Sequence, residues 1–275
     1  TNRILVPFCF FIVASLVIEK VVTLPGLKYV VLQPFREPQI INFPVWFLLC
    51  LFWVNVIFRL IGAFTRRDVV KFCIVLAIGA IGYVLDSYQI YIPLFLNSAF
   101  TAMPFFFVGY ILRKFPILYR SKHDRIYLIV SVIVAGCVIW LCHKYGTPFI
   151  EIVDNKYNGN IFAIYFVSIS MVLALLMICK AIRWLPVISY MGRYSIVILG
   201  FHALFPKYVN MLFKLIGVTP SRYIYCLVLI IICWLTIPVC KKLVPSLIAQ
   251  SDLIRRKEHD KTSGIEEVAD KRVKN

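Results

Sequence analysis

Acidic side chains are scarce in this sequence. Thirteen Asp and Glu stand against 30 Lys and Arg, and none falls near the middle of an apolar stretch. That scarcity argues against proton-coupled transport, which generally runs on carboxylates inside the membrane. Histidine is scarcer still, with only His123, His143, His202 and His259. No cysteine pair has zinc-site spacing with a histidine partner, so no metal centre is expected. The nine cysteines, Cys9, Cys50, Cys73, Cys137, Cys142, Cys179, Cys226, Cys233 and Cys240, lie within or at the ends of apolar stretches and read as packing residues, not a disulfide framework. There is no glycine-rich phosphate loop, and no cleavable signal is expected in this stretch. Polar and apolar residues do not alternate as barrel strands would require.

What fills the chain instead is hydrocarbon. Of its 275 residues, 61% are hydrophobic and 16% charged, and the mean hydropathy is +0.85. This is the composition of an integral membrane protein. A bilayer core of ~30 Å takes about 20 helical residues, and continuous apolar runs satisfy their backbone only as helices. The expected fold is an all-α polytopic bundle of about eight spans: 4–22, 40–61, 69–85, 90–112, 126–142, 161–179, 184–205 and 223–240. Residues 1–249 form the membrane domain. Residues 250–275 form a mixed-charge tail expected to be disordered and solvated beside anionic headgroups.

Basic residues collect on alternate connections. Arg66, Arg67 and Lys71 follow the second span, Arg113, Lys114, Arg120, Lys122 and Arg125 the fourth, and Lys180 and Arg183 the sixth. Short Lys- and Arg-rich loops stay in the cytoplasm, so both termini are expected there, in a bacterial-type inner (plasma) membrane. The net charge of +17 is mostly this topological signal, and nucleic acid is not an expected partner. The chain opens at Thr1 without Met, and Arg3 runs straight into a span as though a loop fed it, so an upstream segment is expected.

The stretch from Trp184 to Phe205 sets Arg193, Ser195 and His202 inside otherwise apolar sequence. Hydrocarbon excludes such groups unless they are paired, buried or facing a cavity. His202 lies about 18 residues, or ~27 Å, from the start of that helix, with Ser195 two turns below on nearly the same face. Arg193 points roughly opposite. His202 reads either as an interfacial histidine bonded to a backbone carbonyl or as site lining. Arg193 reads as a cavity or donor contact, or as a snorkelling or paired cation. Asn97, Ser98 and Thr101, ahead of Pro104, form a polar seam suited to close helix packing or to a pocket.

Three strings carry a resemblance. Phe43-Pro-Val-Trp46-Phe47-Leu-Leu49, Met103-Pro104-Phe-Phe-Phe-Val-Gly109-Tyr110-Ile-Leu-Arg113-Lys114 and Met191-Gly-Arg193-Tyr-Ser195 running to His202 resemble, in order and spacing, helices of the membrane acyltransferase-3 family. That family includes sugar O-acetyltransferases of the fucose 4-O-acetylase type, and the likeness covers roughly Arg3 to Leu243. It implies transfer of an acetyl or other short acyl group from acyl-CoA, as a donor substrate and not a tightly bound cofactor, to a hydroxyl of a carbohydrate or lipid-linked glycan. Such a reaction needs a general base and oxyanion donors, here His202, Arg193 and Ser195. Trp46, Phe47, Asn97 and Tyr110 are the implied substrate pocket, although an aromatic belt also explains Trp46 and Phe47. Arg66, Arg67, Arg113 and Lys114 are implied contacts for the donor phosphates, although positive-inside bias explains them equally. Family members have about ten spans and a first-helix histidine with no counterpart here. Eight spans plus two upstream restore ten, and this chain alone is expected to be inactive. The competing reading is a transporter or flippase.

Overall fold

A computed structural model describes residues 2–18, 28, 32–36, 40–114, 123–182 and 185–244. The tail beyond 244 and most of the expected outer loop 23–38 lie outside the described residues.

Helix α1 (Asn2–Ile18) carries Pro7 in its second turn, where the missing N–H costs one hydrogen bond. A 3₁₀ turn at Phe43–Val45, with Pro44 in the position that suits a helix start, leads into α2 (Trp46–Phe64). Then come α3 (Asp68–Ser87), α4 (Leu96–Lys114) and α5 (Asp124–Tyr145). A small antiparallel hairpin follows, β1 (Phe149–Glu151) and β2 (Lys156–Asn158), with Ile150 opposite Tyr157. The side chain of Asn160 caps α6 (Ile161–Ala181) by accepting from the Phe162 N–H at 2.8 Å. Three short helices come next, α7 (Pro186–Arg193), α8 (Ser195–Phe201) and α9 (Pro206–Ile216), the last closed by Gly217 at φ 70°. Helix α10 (Arg222–Leu243) ends the described chain.

The all-helical membrane architecture holds. Among the described residues, five helical segments are long and apolar enough to cross a bilayer: Phe43–Phe64, α3, α5, α6 and α10, with α8 and α9 together a sixth if that pair, bent by 66°, is one span. The helices differ locally from the expected spans. Of the first expected span, 4–22, only the part up to Ile18 lies within the described residues, as part of α1. The span expected at 90–112 starts at Leu96, because Pro93 and positive φ at Leu94 (61°) and Phe95 (58°) break the backbone ahead of it. The single span expected at 184–205 is corrected: it breaks at Tyr194, whose φ −110° and ψ 24° lie outside helical values, and again before Pro206.

Helix α4 sits at the centre, packed on α3, α2 and α6. In lipid no hydrophobic force drives helices together, so small residues and polar contacts decide the fit. On α3, Gly79 and Gly82 allow this approach. A Cβ on either would stand 2.9 Å from an α4 atom, Pro104 Cγ or Thr101 Oγ1 respectively. A core of Cys50, Val54, Val75, Ala99, Met103 and Phe107 fills the space between α2, α3 and α4. A second core gathers Phe11, Val45, Leu48, Tyr194, Val197 and Ile237 around α1 and α8. One end of the bundle carries Arg66, Arg67, Lys114 and Lys180 and is called the basic end; the other carries the β-hairpin.

Candidate functional site

At the basic end, Arg66 and Arg67 run into α3, whose first turn holds Asp68, a favourable place for a carboxylate at a helix N-terminus. Asp68 Oδ1 accepts from the Tyr110 hydroxyl at 3.0 Å, and Oδ2 from Lys114 Nζ at 2.6 Å. Lys71, one turn along α3 and only 8% exposed, donates to the Tyr110 oxygen at 3.1 Å and stands 3.8 Å from Asp68 Oδ1. Both ammonium groups lie over the Tyr110 ring, at 5.0 Å for Lys71 and 4.5 Å for Lys114, within cation–π range. Two cations thus share one carboxylate, and Arg66, Arg67 and Arg113 are exposed at the same end. The cluster keeps an excess of positive charge and can receive a polyanion. Tyr110, expected in a substrate pocket, is the hub of this cluster. Asp68 and Lys71 were not among the expected site residues, and only the i, i+3 spacing of opposite charges on one helix pointed to their pairing.

The segment from α7 to α8 places its three polar residues apart. Arg193 closes α7 and Ser195 opens α8, both exposed, while His202 follows α8 half-buried. Among the described residues no hydrogen bond joins any two of them. His202 Nδ1 lies 2.9 Å from the Ile198 carbonyl. A carbonyl only accepts, so Nδ1 carries the proton and, in the neutral ring, Nε2 keeps the lone pair. The neighbouring Gly200 lies against Phe11, whose ring a Cβ would overlap, and its carbonyl accepts from Asn42 Nδ2 at 2.7 Å. Asn42 is 1% exposed, and its Oδ1 has no partner among the described residues. Its position ahead of Pro44 gave no sign of this role.

The polar seam of α4 is spent on the hairpin. Ser98 Oγ donates to the Val153 carbonyl at 2.9 Å, and the Thr101 hydroxyl bonds Asn155 Oδ1. Asn155 Nδ2 reaches the Gly82 carbonyl at 2.9 Å. The Tyr157 hydroxyl meets Thr101 Oγ1 at 2.7 Å, and Tyr165 donates to the Thr101 carbonyl at 3.0 Å. Burial pushes the Tyr157 phenol above its usual range, a rise that the Thr101 bond offsets in part. Asn97 alone of the seam stays unspent: it is buried, and its Oδ1 has no partner among the described residues, as is true of Trp53 Nε1. Trp46 packs on Phe95 with ring centroids 6.0 Å apart. Phe47 is exposed and lines an apolar groove between α2, α4 and α6. Among the described residues no three His, Cys, Asp or Glu side chains come together as a metal site.

These features form a cationic cluster at one end, a histidine with a free basic nitrogen toward the other, and a hairpin bound into the helices between α3, α4 and α6. A family model described as an acyltransferase domain matches residues 1–240. No curated protein and no solved structure matches the chain. With 240 of 275 residues inside the family match, the chain belongs to the acyltransferase-3 family of membrane acyltransferases.

Proposed function

We propose that this acyltransferase moves an acetyl or other short acyl group from an acyl-CoA thioester to a hydroxyl of a cell-surface carbohydrate, in the inner (plasma) membrane, with its basic end in the cytoplasm. The observation that carries the donor assignment is the Lys71–Tyr110–Asp68–Lys114 cluster, whose charge excess sits with Arg66, Arg67 and Arg113 at one end of the bundle. Coenzyme A is a polyanion, and guanidinium and ammonium groups bind its phosphates strongly. Arg193, exposed one residue from Tyr194 at the end where Lys241 lies over the Tyr194 ring at 5.8 Å, fits a donor contact better than an oxyanion contact.

The acceptor chemistry falls to His202. With Nδ1–H held by the Ile198 carbonyl, Nε2 is oriented to take the proton of a sugar hydroxyl. The hydroxyl oxygen then bonds to the thioester carbonyl carbon, and the C–S bond breaks. The thiolate of coenzyme A leaves and takes up the proton that His202 received.

The test is the O-acetyl methyl signal in proton NMR of surface polysaccharide, from cells lacking the gene and cells in which it is restored. Loss and recovery of the signal, with His202→Gln failing to restore it and His202→Ala at normal expression failing likewise, is the expected result. Complementation is run with this chain and with any longer reading frame that contains it. Unchanged acetylation with altered glycan export would move the reading to transport.

A further inference from the structure

The groove between α2, α4 and α6 encloses about 620 Å³. Its lining is apolar except for Ser168. On α4 it runs from Ala102 to Leu112, ten residues or about 15 Å at the helical rise, which is half of a ~30 Å hydrocarbon core. Ile150 and Ile152 of the hairpin line its far end. Along its side Phe47, Gly109 and Val172 are exposed, so it opens on the surface of the bundle, where the bilayer lies.

Its near end is not neutral. Phe105 and Gly109 line the groove, and Arg113 follows at the next i+4 position on the same stripe of α4. Arg113 is exposed, so the basic-end mouth of this apolar slot carries positive charge, whereas Lys114 beside it is paired with Asp68. A second copy of the chain would bring apolar helix to the slot but no anion to its mouth. A neutral lipid would fill the slot and leave the charge unanswered.

We propose that the groove is a binding site for an anionic phospholipid of the leaflet at the basic end, with one acyl chain between α2, α4 and α6 and the phosphate on Arg113. The site shares Arg113 with the donor contacts proposed above, but it is defined by shape and charge and not by the reaction. Gly109 keeps it open: a Cβ added there meets no atom within 4 Å, so a larger side chain enters the groove without disturbing the helix.

The full chain, purified in detergent, is offered equal amounts of phosphatidylglycerol and phosphatidylcholine, and native mass spectrometry counts the lipid retained. One phosphatidylglycerol is expected to be kept over phosphatidylcholine by about fivefold, the preference one arginine gives near a headgroup. Arg113→Gln is expected to reduce that preference to near parity. Gly109→Leu is expected to abolish retention of both lipids while the melting temperature stays unchanged or rises. Val172→Trp, on the α6 wall, repeats the block should Gly109→Leu fail to fold. Equal retention of the two lipids by the unaltered chain overturns the proposal, as does retention that survives both blocking variants. The readout is lipid mass, so a failed acetylation assay leaves it intact.

Discussion

Gly200 shows how much one absent methyl can decide. Its carbonyl accepts from Asn42, and its missing Cβ leaves room for the Phe11 ring, so α1, the entry to α2 and α8 converge on it. Gly200→Ala is expected to cost about 1–3 kcal/mol, the range for overpacking a filled core, read as a lower melting temperature in detergent. Adding Phe11→Leu should recover part of that loss, and equal melting temperatures for the single and double variants would count against the contact. Tyr110→Phe removes the hydroxyl that joins Asp68 to Lys71. It is expected to cost about 1 kcal/mol of stability and to raise KM for acyl-CoA more than it lowers kcat. A selective fall in kcat would instead place Tyr110 at the reacting atoms. At this scale the sequence marked Lys114 and Tyr110 as polar groups at a helix end. It did not mark Lys71 as buried, because the partner that makes burial tolerable is supplied by another helix 39 residues away.

Among the elements, patterning missed the hairpin and the helix α9 (Pro206–Ile216), which falls between two expected spans. The strands of the hairpin are three residues each, too short for a period to show, and what holds them lies 54 to 56 residues away on α4 and 71 to 73 residues away on α3. The α4 seam was visible as Asn97, Ser98 and Thr101, and close helix packing or a pocket were its two readings. It serves mainly to anchor a loop, which neither reading included. Thr101→Val keeps the shape and deletes the hydroxyl that serves Asn155 and Tyr157. The cost expected is about 1–3 kcal/mol for leaving buried polar groups unpaired, with faster amide hydrogen exchange across residues 149–158. Unchanged exchange there would mean the hairpin is held by Val153 and its apolar neighbours alone. The break at Tyr194 was hidden for a different reason. Apolar content continues across it, and only the charge of Arg193, which cannot be shed in hydrocarbon, signalled that an unbroken helix was costly.

For the whole molecule the governing quantity is the split of charge between the two ends. The cationic cluster and Arg66, Arg67 and Arg113 occupy one end, while Asp86, Glu151 and Asp154 accompany the hairpin at the other. There Asp154 pairs with Lys156 at 2.9 Å and holds its ammonium above the usual range. Positive-inside bias predicts a hairpin outside the cell, and single-cysteine labelling tests that prediction. A membrane-impermeant maleimide is expected to label Lys156→Cys in intact cells and Arg66→Cys only after permeabilisation. The labelling is done in a background with all nine native cysteines replaced by serine, since Cys9, Cys73, Cys137, Cys179 and Cys226 are exposed and would compete for the reagent. The opposite labelling pattern would put the cationic cluster outside the cell, away from the cytoplasmic acyl-CoA pool. The donor assignment would then fall with the orientation, because it rests on that cluster facing the thioester.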